Sequence, residues 1–112
     1  MLHEQRAHAR RLMHEHAFLM DSSGTSWAPV VLLDISLGGI CFATPQALVS
    51  GAVRQLLFTV PGSATRHQAQ ITVVHVSTAG VPSGFRIGAR LVGVEPATKQ
   101  QIADFVSKSA LT

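Results

Sequence analysis

Cysteine, tyrosine, charge and long apolar runs are all scarce in this chain. Its single cysteine, Cys41, excludes an internal disulfide. Set in the apolar run "GICFA", it reads as a buried, inert thiol, and the compartment reads as reducing and cytoplasmic. Tyrosine is absent, and the aromatics are one tryptophan and five phenylalanines. That is a thin supply for a surface that stacks successive bases of a single strand, so neither DNA nor RNA is an expected partner. Charged residues make up only 13% against 46% hydrophobic, which excludes a disordered chain and points to a packed core. No apolar run approaches the ~20 residues that span a bilayer, so membrane insertion is not expected. The opening "MLHEQRAHARRLMHEH" has no apolar centre and does not read as a secretory signal. No nucleophile-elbow pattern and no phosphate-cradling Walker loop occurs, so the chain is not expected to be an enzyme.

What is present suits one domain over residues 1–112. Residues 1–15 lack a sustained apolar face and read as an exposed, flexible arm. From 16 to 94, short runs rich in Val, Ile and Phe alternate with turns such as "DSSGTS", "PGSAT" and "TAGVPSG". Turns every 8 to 12 residues argue for an all-β barrel or sandwich of about six strands. Within it, Ala69, Ile71 and Val73 share one parity, as do Phe85, Ile87, Ala89 and Leu91. Residues 95–110 differ. Pro96 suits a first helical position, and Ile102, Phe105 and Val106 fall on one helical face. Asp104 and Lys108 stand at i,i+4 spacing. A helix so short is marginal alone and must pack on the strands.

The base excess is small, +3 from nine Lys and Arg against six Asp and Glu, but seven of the nine are arginine. Arginine carries a planar fork of donors suited to phosphate and to flat rings. Arg6, Arg10 and Arg11 crowd the N-terminal segment. In "RAHAR", Arg6 and Arg10 stand four apart and can converge on one ligand, pairing with phosphate or with guanine O6 and N7. A solvated basic arm is the plainer reading. In "LLDISLGGI", Asp34 and Ser36 lie at i and i+2 of a strand, on one face. The pair offers a carboxylate and a hydroxyl side by side, and the carboxylate suits the N1–H and N2–H2 edge of guanine. Gly38 and Gly39 then allow a sharp turn and close approach to the backbone. The alternative is that Asp34 and Ser36 cap a turn through their own backbone.

The combination R-x-x-x-R then D-x-S-x-x-G, here Arg6-Ala-His-Ala-Arg10 and Asp34-Ile-Ser36-Leu-Gly-Gly39, resembles the PilZ domain family. The later "FRIGARLVGVEPATKQQIADFV" is similar to the last strand and closing helix of that family. The resemblance implies a six-stranded antiparallel β-barrel with a flexible N-terminal arm and a C-terminal helix. It also implies a cyclic di-GMP receptor with no cofactor, acting as an adaptor toward a protein partner by ordering its arm around the ligand. Arg6 and Arg10 would hold phosphate and guanine, Asp34 and Ser36 a guanine edge, and Gly39 would admit the ligand to the backbone. Arg11 and Gly38 are possible additions. Gln5 stands where the family often has arginine or an apolar residue, which leaves the ligand stoichiometry open. A PilZ-like interaction module without ligand, and a small β-barrel that binds nucleic acid, are the alternatives.

Other residues have plainer accounts. His3, His8, His14 and His16 invite a metal, but no cysteine or third ligand stands at diagnostic spacing, so no metal site is expected. His67 and His75 read as strand residues, partly buried or solvated. Trp27 and Phe85 read as core. Arg86 and Arg90, on the polar parity of the last strand, read as a solvated outer face, with a basic ligand face as the alternative.

Overall fold

A computed structural model describes residues 9–78 and 84–110. Its strands are β1 (Arg10–Met20), β2 (Trp27–Ser36), β3 (Gly39–Thr44), β4 (Val53–Thr59), β5 (Arg66–Ser77) and β6 (Phe85–Val92), followed by helix α1 (Pro96–Ala110). The strands close a barrel in the order β1-β2-β3-β6-β5-β4. Every pairing is antiparallel. Two three-stranded meanders, β1–β3 and β4–β6, are therefore joined along β3–β6 and β1–β4. The six-stranded barrel with its added helix is the architecture the sequence implied.

Alternation builds the core. Leu32, Phe42, Leu56, Phe58, Ile71, Val73 and Ile87 point inward and are almost wholly buried. Helix α1 adds Ile102, Phe105 and Val106 to the same cluster, the three residues its spacing singled out. The helix packs on β1 and β2. Burial of Ile102, fully removed from solvent, contributes about 1.5–3 kcal/mol. On the helix's outer side, Asp104 accepts a hydrogen bond from Gln100 Nε2 at 2.9 Å. A polar clasp fixes the first turns of α1. His67 on β5, 6% exposed, has Nδ1 2.9 Å from Thr98 Oγ1 and Nε2 3.0 Å from Gln101 Oε1. Phe85 packs partly buried against the core, whereas Trp27 remains 36% exposed at the end of β2.

The β1–β2 turn is built on one carboxylate. Asp21 Oδ1 accepts from the Thr25 amide at 2.9 Å and Oδ2 from the Ser26 hydroxyl at 2.8 Å. Those bonds hold the Asp21 carboxyl well below the usual carboxylate range, the Thr25 amide contributing most.

One boundary differs from the expectation. The arm assigned to residues 1–15 gives way to strand at Arg10, so the barrel takes in 10–15 as well. These residues join by backbone pairing, Arg10 opposite Ser36, Arg11 opposite Ile35 and Leu12 opposite Asp34. Their side chains carry only a weak apolar signal, with Leu12 79% exposed, which is why composition did not mark them as strand.

Candidate ligand-binding site

The strand irregularities gather at one end of the barrel. The register shifts between Leu12 and Glu15 on β1, between Leu32 and Asp34 on β2, and between Val73 and His75 on β5. A bulge inserts a residue and re-aims the side chains that follow it. On β2, Leu32 and Ile35 both enter the core although three positions separate them. The inward parity has switched, and Asp34 and Ser36 are thereby placed together on the outward face of β2, where both are nevertheless covered.

Asp34 is the centre of charge. Its Oδ1 lies 3.4 Å from an Nη1 of Arg10, and its Oδ2 lies 3.8 Å from Nη2 of Arg86. The first is a long hydrogen bond and the second an ion pair beyond hydrogen-bonding distance. The carboxylate side chain is 7% exposed, against 40% and 39% for the two arginines. Both guanidiniums thus cover a nearly buried anion while keeping their own access to water.

Ser36 has a different task. Its Oγ accepts from the amides of Gly39 at 3.1 Å and Gly38 at 3.3 Å. Of the two alternatives for this motif, turn capping describes Ser36, whereas Asp34 is engaged by the two arginines. Gly39 is needed for close approach between strands: a Cβ there would stand 3.0 Å from the Ala89 carbonyl oxygen on β6. Gly38 supplies its carbonyl to the Leu91 amide at 3.1 Å.

A cavity of about 470 Å³ opens beside this group, with Arg10, Ser36, Gly39, His75, Gly88 and Arg90 among its walls. Among the described residues Asp34 is not one of its walls; Arg10 and Arg86 lie over it. Gly88 leaves room under His75, whose Cβ is 3.6 Å from where a Gly88 Cβ would be. The volume falls within the range of small-molecule sites.

Of the residues singled out by sequence, the structure brings together Arg10, Asp34, Ser36, Gly38 and Gly39. Arg6 lies outside the described residues. Arg11 does not join them. It sits on the opposite parity of β1, where its Nη1 donates to the Phe105 carbonyl oxygen at 2.8 Å and its guanidinium lies 4.1 Å from the centre of the Phe105 ring. Arg11, the possible additional anion contact, thus ties β1 to helix α1, apart from the Asp34 cluster. His14 and His16 share the outer face with ring centres 6.4 Å apart.

Three residues at the site were read otherwise from sequence. Arg86 holds Asp34, and Arg90 and His75 line the cavity, so the polar parity of β6 forms a basic face here. The signal was the repeat "RIGAR", two arginines four apart on one strand face. Its meaning depends on β6 lying beside β3, with Arg90 opposite Gly39 and Arg86 opposite Ala43. Cys41 is buried and free, but it is not part of the apolar cluster. It pairs with Asp34 on one side and Gly88 on the other. Burial pushes its thiol pKa up and the Asp34 charge adds to this, while Arg86 and Arg10 pull it back.

A closed six-stranded antiparallel barrel, a helix packed on its first two strands and an arginine–aspartate cluster beside a bulged rim define the class, a small β-barrel closed by a helix. The chain belongs to the PilZ domain family, whose signature matches residues 4–108. No curated protein matches it by sequence. Among solved structures, the Bacillus subtilis inhibitor of motility MotI/DgrA superposes with a TM-score of 0.83 at 12% identity, over 96% of this chain and 52% of that one. The PilZ domain of YcgR from Escherichia coli, solved with cyclic di-GMP, gives 0.71 at 18% identity over 94% and 91%. The K. pneumonia MrkH complex with cyclic di-GMP gives 0.73 at 16% identity over 98% and 54%. The chain thus spans about half the length of MotI/DgrA and of MrkH.

Proposed function

We propose that this chain is a cyclic di-GMP receptor that binds without catalysis and passes the signal to a partner protein in the cytoplasm. The observation that carries the reading is the convergence of its two family motifs. Arg10 of R-x-x-x-R stands 3.4 Å from Asp34 of D-x-S-x-x-G, beside a cavity walled by Ser36 and Gly39. The ligand bound in the YcgR and MrkH structures is the one this chemistry suits. Its phosphates are anions for Arg6, Arg10 and Arg90, and its guanine edge offers two N–H donors to one carboxylate.

In this reading the Arg10–Asp34 contact is exchanged on binding. Arg10 swings from carboxylate to phosphate or guanine O6 and N7, and Asp34 turns from Arg10 to guanine. Each partner keeps a charge-assisted bond, so the swap costs little. Ordering of the segment that carries Arg6 would accompany ligand capture, and the changed surface would be what a partner recognises. Calorimetric titration with cyclic di-GMP tests the proposal and gives the molar ratio. Saturable heat at micromolar or tighter affinity is expected; no heat and no NMR shift with a folded protein would overturn it.

A further inference from the structure

We infer that Arg86 is a positioning residue for guanine recognition: it anchors Asp34 while Arg10 departs. This rests on the cyclic di-GMP reading of the site. Two guanidiniums hold the Asp34 carboxylate, one on each oxygen, but they are not equivalent. Arg10 is a wall of the cavity, so a ligand meets it directly. Arg86 is not a wall among the described residues, and it reaches Asp34 from two strands away.

The path is set by the strand order. Arg86 stands on β6 opposite Ala43, and Asp34 stands on β2 opposite Cys41, with β3 between them. The outer face of β3 is made of small residues there, Cys41 and Ala43, and Gly88 follows on β6. A long guanidinium stem can therefore lie across β3 and deliver its charge to Oδ2. Cys41 beneath feels Asp34, Arg86 and Arg10 together, as expected if all three charges converge over it.

A buried carboxylate without a cationic partner is costly, and it turns toward whatever donors it can find. Once Arg10 moves to the ligand, Arg86 is the cation that remains on Asp34 among the described residues. By staying on Oδ2, it leaves Oδ1, the oxygen that Arg10 gives up, for the base. Loss of Arg86 would then blunt the reading of guanine more than the grip on phosphate.

Cyclic di-IMP separates the two effects. Inosine keeps the phosphates, O6, N7 and N1–H of the guanine nucleotide and lacks only the N2 amine, one donor to Asp34. Affinities for both nucleotides are measured by competition titration on folded wild-type, Arg86→Gln and Arg86→Lys proteins. Wild type is expected to prefer guanine by about tenfold, the share of one charge-assisted hydrogen bond. Arg86→Gln is expected to reduce that preference to about twofold, and Arg86→Lys to restore part of it. An undiminished preference in Arg86→Gln, or an equal loss for both nucleotides, would overturn the positioning role alone. No binding of cyclic di-GMP by wild type would overturn the receptor reading and this role with it.

Discussion

Replacing Asp34 by asparagine tests the site with least disturbance to its shape. The side chains are nearly isosteric, so the packed pocket at Asp34, 5% exposed, is kept. The charge is lost, and one acceptor oxygen becomes an N–H2 donor that faces the donors of guanine. One charge-assisted hydrogen bond contributes about 1.5–3 kcal/mol. At 1.4 kcal/mol per decade, affinity for cyclic di-GMP should fall by about 10- to 100-fold. Stability should change far less. Arg10 and Arg86 are each about two-fifths exposed, so water replaces the carboxylate, and each pair is discounted to at most about 1 kcal/mol. For a domain this size that is a melting shift of a few degrees. Calorimetry gives the affinity, and thermal circular dichroism on the same samples gives the stability. Wild-type affinity in a folded Asp34→Asn protein would refute the assignment. So would a loss of affinity that merely tracks unfolding.

Three further outcomes follow from the geometry. Ile102→Ala leaves a cavity where α1 meets the barrel and should cost about 2–5 kcal/mol by denaturant unfolding, since Ile102 is fully buried; a cost below about 1 kcal/mol would show that the helix is not part of the core. Gly39→Ala forces a Cβ to 3.0 Å from the Ala89 carbonyl oxygen, so both stability and ligand affinity should drop, with slower hydrogen exchange along β3–β6 speaking against it. Asp21 should titrate well below an ordinary carboxyl by NMR. Its folded pKa is depressed, so its contribution to stability is complete above the ordinary carboxylate range and is lost as pH falls through the folded value; a normal Asp21 titration would remove the account of the turn.

Much of the fold was legible because alternation and turns are local. Ala69, Ile71 and Val73, or Ile102, Phe105 and Val106, announce their faces over a few residues, and each is buried as expected. The start of β1 was not legible, because Arg10 to Leu12 are held by pairing with β2 and not by their own apolar side chains. The site was legible in part for the same reason. Asp34, Ser36 and Gly39 lie in one short stretch, and Arg10 was tied to them through family resemblance. Arg86, Arg90 and His75 enter the site only because β6 lies beside β3, a pairing as distant in the chain as Gly39 with Arg90 that leaves no local trace; the neighbouring strand β5 brings His75 with it. The bulge that turns Asp34 outward is equally silent, since "VVLLDIS" reads as an unbroken strand.

Arg10 and Arg11 are chemically identical neighbours with unrelated duties. One covers Asp34 on the outside; the other grips the Phe105 carbonyl and ring on the helix side. Nothing but the pleat of β1 distinguishes them. A slip of one residue in the pairing of β1 with β2 would exchange their faces, placing Arg11 beside Asp34 and Arg10 against the helix. Each arginine therefore has an address and not a chemistry. The pairing of Arg10 with Ser36 writes that address, and a single inserted or deleted residue before the bulge would misdeliver both.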